Sequence, residues 1–122
     1  MNKTRKGNYY RTRTKKWMEK QGFSVELAEH KSRSFYRDKE TGELKTFYST
    51  HDIWGADLFA MDGDQFIAIQ VKSNKGDISK GIKELVRHPY PEFIDLWVAY
   101  WPERAREPEI HEVKIEHTGK ET

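Results

Sequence analysis

The segment from residue 57 to residue 72 constrains the fold of this chain most, because it contains two strand-like runs around a compact turn signal. The turn signal is Asp62-Gly63-Asp64, and apolar residues alternate or cluster on both sides of it. This pattern predicts a β-hairpin. Side chains alternate across a strand, so Gln70 and Lys72 share one face of the second strand, while Ile69 and its alternate neighbours point into a core.

The register of this hairpin decides what Asp57 faces. A loop of two residues places Asp57 opposite Ala68, and a loop of four residues places it opposite Gln70. Both registers bring Asp57 to the face of Gln70 and Lys72, within reach of one shared ion. The alternative is that Gln70 and Lys72 form the solvent face of an ordinary half-exposed strand, and alternation alone does not choose between the two interpretations.

An acid, an amide oxygen and an ammonium group at these separations suit metal-dependent phosphodiester hydrolysis. Mg²⁺ takes oxygen ligands, typically one or two carboxylates, with waters and substrate phosphate in its other positions. Asp57 would supply negative charge, and the carbonyl oxygen of Gln70 would supply a neutral ligand. Lys72 would orient or deprotonate the attacking water, or offset the charge that develops on the phosphate.

Length and composition narrow the class of protein. A chain of 122 residues is expected to form one domain, residues 1–122, and 34% charged residues with 13% aromatic residues indicate a charged surface around an ordered core. The absence of cysteine excludes disulfides, thiolate metal sites and a cysteine nucleophile. No apolar run has membrane-spanning length and no signal peptide is visible, so a cytoplasmic protein without membrane contact is expected.

The charges are distributed unevenly along the chain. Residues 1–20 hold eight basic residues and one acidic residue, a net charge of +7, and since the whole chain carries +2, the remainder carries −5. A basic segment joined to an acidic remainder suits a polyanion on one side and a carboxylate metal site on the other. The alternative is a solvated basic tail. The candidates for phosphate contacts in this segment are Lys3, Arg5, Lys6, Arg11, Arg13 and Lys15.

The order of elements follows from periodicity and from helix-breaking residues. We expect a flexible basic arm over 1–7, a helix from about Asn8 to Gly22, a strand at 23–27, and a protruding hairpin or loop at about 30–50. The hairpin of the first motif follows, then a helix capped by Asn74 or Asp77, a strand at 94–100, an edge strand at 110–115 and a polar tail at 117–122. The predicted class is α/β.

Three motifs carry a resemblance to a known group over about residues 6–101. They are Lys6-Gly7 before a helix that ends at Gly22-Phe23, the acid segment Asp52-Ile-Trp-Gly-Ala-Asp57, and the strand Ile69-Gln70-Val71-Lys72-Ser73. In this order and spacing the chain resembles the PD-(D/E)XK nuclease superfamily. Within it, the chain is most similar to the archaeal-type Holliday junction resolvases, including forms carried by phages.

The resemblance implies a restriction-endonuclease-like fold, with a mixed central sheet flanked by helices and an αβββαβ core. It implies a homodimer that binds four-way junction DNA and cuts it symmetrically with Mg²⁺, or with Mn²⁺ as a substitute. It also implies action in the cytoplasm, which for a phage protein is that of the host. No nucleotide-binding fingerprint is apparent, so no nucleotide cofactor is expected.

Two departures from the family pattern bear on activity. Arg11 falls where the family has a first-helix carboxylate, and Gln70 falls where a glutamate is usual, as in the Q-x-K variants of the superfamily. A migrated ligand from Asp52, Glu26 or Glu29 would compensate, with Asp52 favoured; an ordinary turn acid is the competing interpretation of Asp52. Because of these departures, a catalytically weak DNA-binding relative remains an alternative, as does another structure-specific or restriction-type nuclease.

Other side chains have weaker functional interpretations. Ser32 and Ser34 fall where the resolvases carry a loop serine that contacts DNA, and a merely polar loop is equally compatible. The histidines lack the paired spacing of a zinc site. The aromatic residues of the first helix and Trp101 are interpreted as core or dimer packing rather than as base-stacking platforms.

Overall fold

The fold is that of a mixed α/β protein, seen in a computed structural model that describes the backbone of residues 3–114 and the side chains of residues 5–28, 33–46 and 52–114. Within the described backbone, two α-helices and seven β-strands follow one another. They are α1 (Lys3–Lys20), β1 (Ser24–Leu27), β2 (Glu29–Arg37), β3 (Leu44–Asp52), β4 (Leu58–Met61), β5 (Phe66–Lys72), α2 (Ile78–Val86), β6 (Asp95–Tyr100) and β7 (Glu109–Val113).

Five of the strands form one mixed sheet in the order β1-β4-β5-β6-β7. Only β5 and β6 run parallel, and the other three pairs are antiparallel. Parallel neighbours need a crossover connection, and α2 lies in that connection. Strands β2 and β3 pair only with each other, as a hairpin inserted between β1 and β4. The predicted mixed central sheet with a hairpin at about 30–50 is confirmed.

The two helices cover opposite faces of this sheet. Met18 of α1 packs with Ile67 and Ile69, whereas Leu85 of α2 packs with Ala68, which points the other way from the same strand. Strand β5 is therefore covered on both sides, and residues 67–70 are all buried. The interpretation of Gln70 as part of a solvent face is wrong, because α2 closes over that face.

The hairpin between β4 and β5 has the longer of the two expected loops. Leu58 pairs with Ile69 and Met61 pairs with Phe66, which leaves residues 62–65 as a four-residue loop. The carboxylate of Asp62 accepts hydrogen bonds from the backbone N–H groups of Asp64 and Gln65, and so stabilises the loop. Continuing this register places Asp57 opposite Gln70.

The first helix differs from the prediction at its start. It begins at Lys3, so most of the segment expected as a flexible arm is helical. Gly7 weakens a helix there by about 1 kcal/mol relative to alanine, but no proline interrupts it. The predicted packing of Trp101 is confirmed, because it is 1% exposed and its indole nitrogen donates to the Thr14 hydroxyl at 2.8 Å. The predicted tail at 117–122 lies outside the described residues.

Capping decides where α2 starts. The side chain of Asn74 accepts a hydrogen bond from the backbone N–H of Gly76 and caps a single 3₁₀ turn, Lys75–Asp77, which leads into α2. Asp77 occupies the cap position of α2 itself but makes no side-chain cap. Within the described part of the chain, no helix has the length and apolar character needed to cross a membrane.

Candidate functional site

A polar cleft of about 520 Å³ opens where the start of α1, the end of β5 and the start of α2 meet the segment that leads into β4. All four residues predicted to carry the chemistry line this cleft: Asp52, Asp57, Gln70 and Lys72. Lys6 and Arg11 reach the same cleft from α1. The sequence motif and the basic helix therefore meet at one place on the molecule.

The carboxylate of Asp57 is the most constrained group in the cleft. The residue is 4% exposed. Its Oδ2 accepts a hydrogen bond from the backbone N–H of Val71 at 2.8 Å, and its Oδ1 lies 3.2 Å from Nε of Arg11. Its backbone N–H donates to the carbonyl of Ile69 at 2.8 Å, and its own carbonyl accepts from the N–H of Ala28 at 2.9 Å. Both the backbone and the side chain are thus held by neighbouring segments.

Burial raises the pKa of the Asp57 carboxyl to about 6 from its usual 3.8. The hydrogen bond from Val71 and the charge of Arg11 oppose the rise, the negative charge of Asp52 adds to it, and Lys72 opposes it more weakly. Desolvation therefore outweighs the pairing with Arg11. A carboxylate in this state gains much from a further cation beside it, as a divalent metal ion would supply.

The Gln70 amide is oriented by one hydrogen bond. Gln70 is 2% exposed, and its Nε2 donates to the backbone carbonyl of Gly55. A carbonyl can only accept, so Nε2 must face Gly55 and Oε1 must face away from it. Gly55 has φ +74°, and a Cβ at this position would overlap the carbonyl oxygen of Glu84. Only glycine fits there, and it is this glycine that offers its carbonyl to Gln70.

Lys72 reaches the cleft across a glycine of α2. A Cβ at Gly81 would come within 3.2 Å of Cε of Lys72. Gly81 is buried in the middle of α2, where glycine weakens a helix. Its small size leaves a passage for the lysine side chain. The backbone carbonyl of Lys72 accepts from the N–H of Trp101 at 2.8 Å, which holds the end of β5.

The oxygen ligands that a metal ion would find are Asp57, Asp52 and Oε1 of Gln70. Asp52 is exposed at the end of β3, and its negative charge contributes to the raised pKa of Asp57. Glu26 does not line the cleft, and the side chain of Glu29 lies outside the described residues. No group of three or more His, Asp or Glu side chains positioned to hold a metal ion occurs among the side chains described above. Two carboxylates and an amide oxygen still fit Mg²⁺, which keeps several waters.

The basic residues of α1 fall into different environments. Lys6 and Arg11 line the cleft, and Arg5 is exposed nearby in sequence. Arg13 instead lies 4.3 Å from the ring centroid of Trp101 and donates to the carbonyl of Ala105, whereas Lys15 pairs with Glu19 at 2.9 Å. Of the predicted phosphate contacts, Lys6 and Arg11 are therefore best placed beside the cleft.

The remaining predicted DNA contacts are elsewhere or are not described. Ser34 is half-buried in β2, paired with Phe47 in the inserted hairpin, and it does not line the cleft. The side chains of Lys3 and Ser32 lie outside the described residues. Among the described side chains of the inserted hairpin, Asp52 at the end of β3 lines the cleft, whereas Ser34 does not.

Sequence reasoning missed the contribution of α2 to the cleft. Asp77, Lys80 and Glu84 line the cleft opposite α1. Their spacing of three and four residues puts them on one side of the helix, next to the apolar stripe that packs on the sheet. This polar stripe is the feature of the sequence that could have predicted a contribution of α2 to the site. Assigning the stripe to the cleft required knowing which edge of α2 lies beside β5.

Comparison of the chain with protein-family models, with curated proteins and with solved structures gives no match. The likeness to the PD-(D/E)XK nucleases therefore rests on the three sequence motifs quoted above, and it stays a prediction.

Proposed function

We propose that this protein is a metal-dependent endodeoxyribonuclease that acts on branched DNA, with Holliday junctions as its substrate. One observation carries the proposal: Asp57, Gln70 and Lys72 converge in a single cleft together with a second carboxylate, Asp52. This arrangement depends on the register between β4 and β5, because that register places the segment before β4, with Asp57, beside Gln70. The raised pKa of Asp57, caused by burial, adds support, because perturbed carboxyls in clefts are typical of reactive sites.

Asp57, Asp52 and Oε1 of Gln70 would hold the metal ion, Mg²⁺ or Mn²⁺ in its place. When bound, the ion polarises a phosphoryl oxygen and makes a bound water more acidic. The ammonium of Lys72 would lie beside the scissile phosphate, where it orients the attacking water or offsets charge that develops on the phosphate oxygens. The N–H of Val71, which donates to Asp57, and the hydrogen bond that Nε2 of Gln70 donates to the Gly55 carbonyl keep the two oxygen ligands oriented before substrate arrives.

Lys6 and Arg11 would contact the DNA backbone at the mouth of the cleft. The guanidinium of Arg11 presents a planar fork of donors that suits phosphate. Contacts to phosphate position a nucleic acid but carry no sequence information. A substrate recognised by its branched shape is consistent with that, and two cuts in opposing strands would need two copies of the site, hence a homodimer. Such a protein would work in the cytoplasm, that of the host if a phage encodes it.

The direct test is cleavage of a synthetic four-way junction, with a linear duplex and a single strand of matched sequence as comparison. We expect paired cuts in the junction with Mg²⁺ or Mn²⁺, and none with EDTA. Equal cutting of all three substrates would remove the resolvase assignment and leave the nuclease. A preference for particular duplex sequences would instead indicate a restriction-type enzyme.

Two substitutions separate chemistry from binding. Asp57→Asn and Lys72→Ala should each lower the cleavage rate by at least about 100-fold, the usual scale for losing a charged group that acts in the transition state. Junction affinity in EDTA should remain. Asp64→Asn, in the exposed hairpin loop, and Lys83→Ala, on α2 away from the cleft lining, are the matched controls and should cut normally. Full activity in both cleft variants would end the enzymatic interpretation.

A second candidate is a DNA-binding module with little or no catalytic activity. The ion pair between Arg11 and Asp57 favours it, because the guanidinium already supplies a cation to the buried carboxylate. In that case no cleavage should appear with any divalent ion. Asp57→Asn should then bind junction DNA more tightly than the wild type, because it removes a negative charge that repels phosphate.

A further inference from the structure

An apolar pocket of about 490 Å³ lies beside the polar cleft and is not used by the chemistry above. The rings of Trp54, Phe59, Phe66 and Tyr90 form much of its wall. Phe59 lies between the other two apolar rings, with its centroid 6.1 Å from that of Trp54 and 5.7 Å from that of Phe66. None of the residues that line the pocket is Asp, Glu, Lys or Arg.

The shape of this pocket is set by internal bonds. The hydroxyl of Tyr90 donates to the backbone carbonyl of Trp54 at 2.7 Å, and burial raises the pKa of Tyr90 to about 12, so the hydroxyl stays protonated. Trp54 has φ +52°, in the left-handed region that a tryptophan rarely adopts. Its side chain is nevertheless 64% exposed at the rim. A bulky residue held in this way at a pocket mouth indicates a surface built for contact.

A protruding aromatic residue lies on the same face. Phe93 is 78% exposed, at the tip of a tight turn that the N–H of Ile94 closes by donating to the carbonyl of Pro91 at 3.0 Å. Pro91 and Ile94, the two ends of this turn, line the pocket. The face therefore presents both a projecting ring and a cavity lined by rings.

We propose that this face is the interface between two copies of the chain, in which Phe93 of each copy enters the pocket of the other. A twofold interface places the same patch of both subunits in contact, so it needs a surface that carries both a projection and its complement. The proposal rests on the proposed function in one respect, because a nuclease that makes paired cuts needs two active sites. It adds the surface through which the two copies are joined.

The exposed rings supply a substantial part of the area that a dimer interface needs. Trp54, Phe93 and Phe66 are 64%, 78% and 36% exposed, and since an aromatic side chain has roughly 150–250 Å² to bury, they offer about 350 Å² per copy. A stable interface buries roughly 800 Å² per partner. These three rings thus supply nearly half of that area. Pro89 and Pro91, which line the pocket, extend the same region.

The chemistry of the pocket favours a protein surface over nucleic acid. A nucleic acid brings phosphates, and no lysine or arginine lines the pocket to meet them. The edge of a base needs several hydrogen-bond partners; the Tyr90 hydroxyl already donates to Trp54, so His88 is the polar side chain that the lining leaves for this purpose. An apolar ring such as that of Phe93 needs neither a cation nor a hydrogen-bond partner, and its burial alone stabilises the contact.

Oligomeric state measured without DNA tests the proposal. Sedimentation velocity and light scattering over a wide range of concentration should show a dimer for the wild type. Phe93→Ser should weaken the dimer at least about 30-fold, the effect of losing a central aromatic contact. Because Phe93 is so exposed, the monomer should keep its far-UV circular dichroism. Leu44→Ser, which removes another exposed apolar side chain at the inserted hairpin, should leave the dimer intact.

A mixing experiment tests the reciprocal geometry. Trp54→Ser should also weaken the dimer, through the pocket side. Mixing the Trp54→Ser and Phe93→Ser proteins leaves one of the two ring-in-pocket contacts complete, so the mixture should associate more tightly than either variant alone. A monomeric wild type, or a dimer insensitive to Phe93→Ser, would overturn the interface. Metal-dependent cleavage tests the nuclease proposal separately; a monomeric wild type would remove only the expectation of paired cuts.

Discussion

At the scale of single residues, Asp57 is the group whose charge the fold controls most closely. Burial raises the pKa of its carboxyl, and Arg11 and the N–H of Val71 only partly compensate. A folded protein that holds a carboxyl at a raised pKa is stabilised by the bound proton at low pH. This contribution is complete below the unfolded value and is lost as pH rises through the folded value.

Asp57→Asn should therefore stabilise the protein at neutral and alkaline pH in EDTA. With the pKa at about 6 when folded and 3.8 when unfolded, the gain is about 2–3 kcal/mol above pH 7 and disappears below pH 4. Urea unfolding at a series of pH values measures it. Asp64→Asn, in the exposed loop, should show no such pH-dependent gain. A variant no more stable than the wild type at pH 8 would contradict the account of Asp57.

The orientation of Gln70 leads to a second expectation at this scale. In Gln70→Glu, a buried carboxylate would face the Gly55 carbonyl, which cannot donate a hydrogen bond. We expect a loss of about 2–4 kcal/mol in the free energy of unfolding at pH 8 in EDTA. The loss should shrink at low pH, where a protonated glutamate can donate to Gly55. Gln21→Glu, at an exposed position after α1, is the control; equal stability of both variants at pH 8 would refute the expectation.

At the scale of elements, α1 combines two roles along its length. Its second half is anchored to the sheet through Thr14 and Met18, both 0% exposed. Its first half extends to the cleft, where Lys6 and Arg11 lie. This division explains why the apolar periodicity of the sequence identified only the later part of the helix. The early turns have few apolar residues to signal them.

The anchor of α1 is testable at Thr14. The Thr14 hydroxyl accepts from the indole nitrogen of Trp101 and donates to the Tyr10 carbonyl at 2.7 Å. Thr14→Val keeps the shape but leaves the indole N–H unpaired, so unfolding should become easier by about 1–3 kcal/mol. Thr12→Val, on the exposed side of the same helix, should change stability little. Thermal and urea unfolding compare the two, and equal effects would exclude this hydrogen bond as the anchor.

The other end of α1 predicts the salt dependence of DNA binding. Lys6→Ala should weaken junction binding in EDTA and lower the slope of log affinity against log salt by about one unit, because one phosphate contact is lost. Lys20→Ala, at the far end of the helix, should leave the slope unchanged. Fluorescence anisotropy at several salt concentrations measures both. An unchanged slope in the Lys6 variant would place the DNA on another surface.

At the scale of the whole molecule, the segment around Gly55 joins the main features. Gly55 orients Gln70 in the polar cleft and contacts the backbone of Glu84 on α2. Its neighbour Trp54 forms the rim of the apolar pocket. The proposed catalytic site and the proposed dimer face therefore share one wall. Tight packing at this wall would transmit a displacement on one side to the other.

Gly55→Ala should be costly for this reason. The added Cβ would overlap the Glu84 carbonyl, and φ +74° is unfavourable for alanine. We expect a loss of about 2–4 kcal/mol in the free energy of unfolding. Gly63→Ala is the matched control, since nothing lies within 4 Å of its Cβ position and its φ is not in the left-handed region. Equal unfolding curves for the two variants would show that the wall at Gly55 is not tightly packed.

The sequence alone determined the local features of this protein. Strand alternation placed Asp57, Gln70 and Lys72 on one face, and turn and capping residues predicted the hairpins and the start of α2. These predictions succeeded because they depend on neighbours within a few residues in the chain. The α/β class followed from the order of those elements.

Only the tertiary structure decided how those local features meet. It showed that α2 buries Gln70, that Arg11 pairs with Asp57 across 46 positions of sequence, and that Arg13 packs on Trp101 instead of facing the cleft. Periodicity says which residues share a face, but it does not say which face another element will cover. That choice is made by long-range packing, where the burial of apolar surface outweighs local preference.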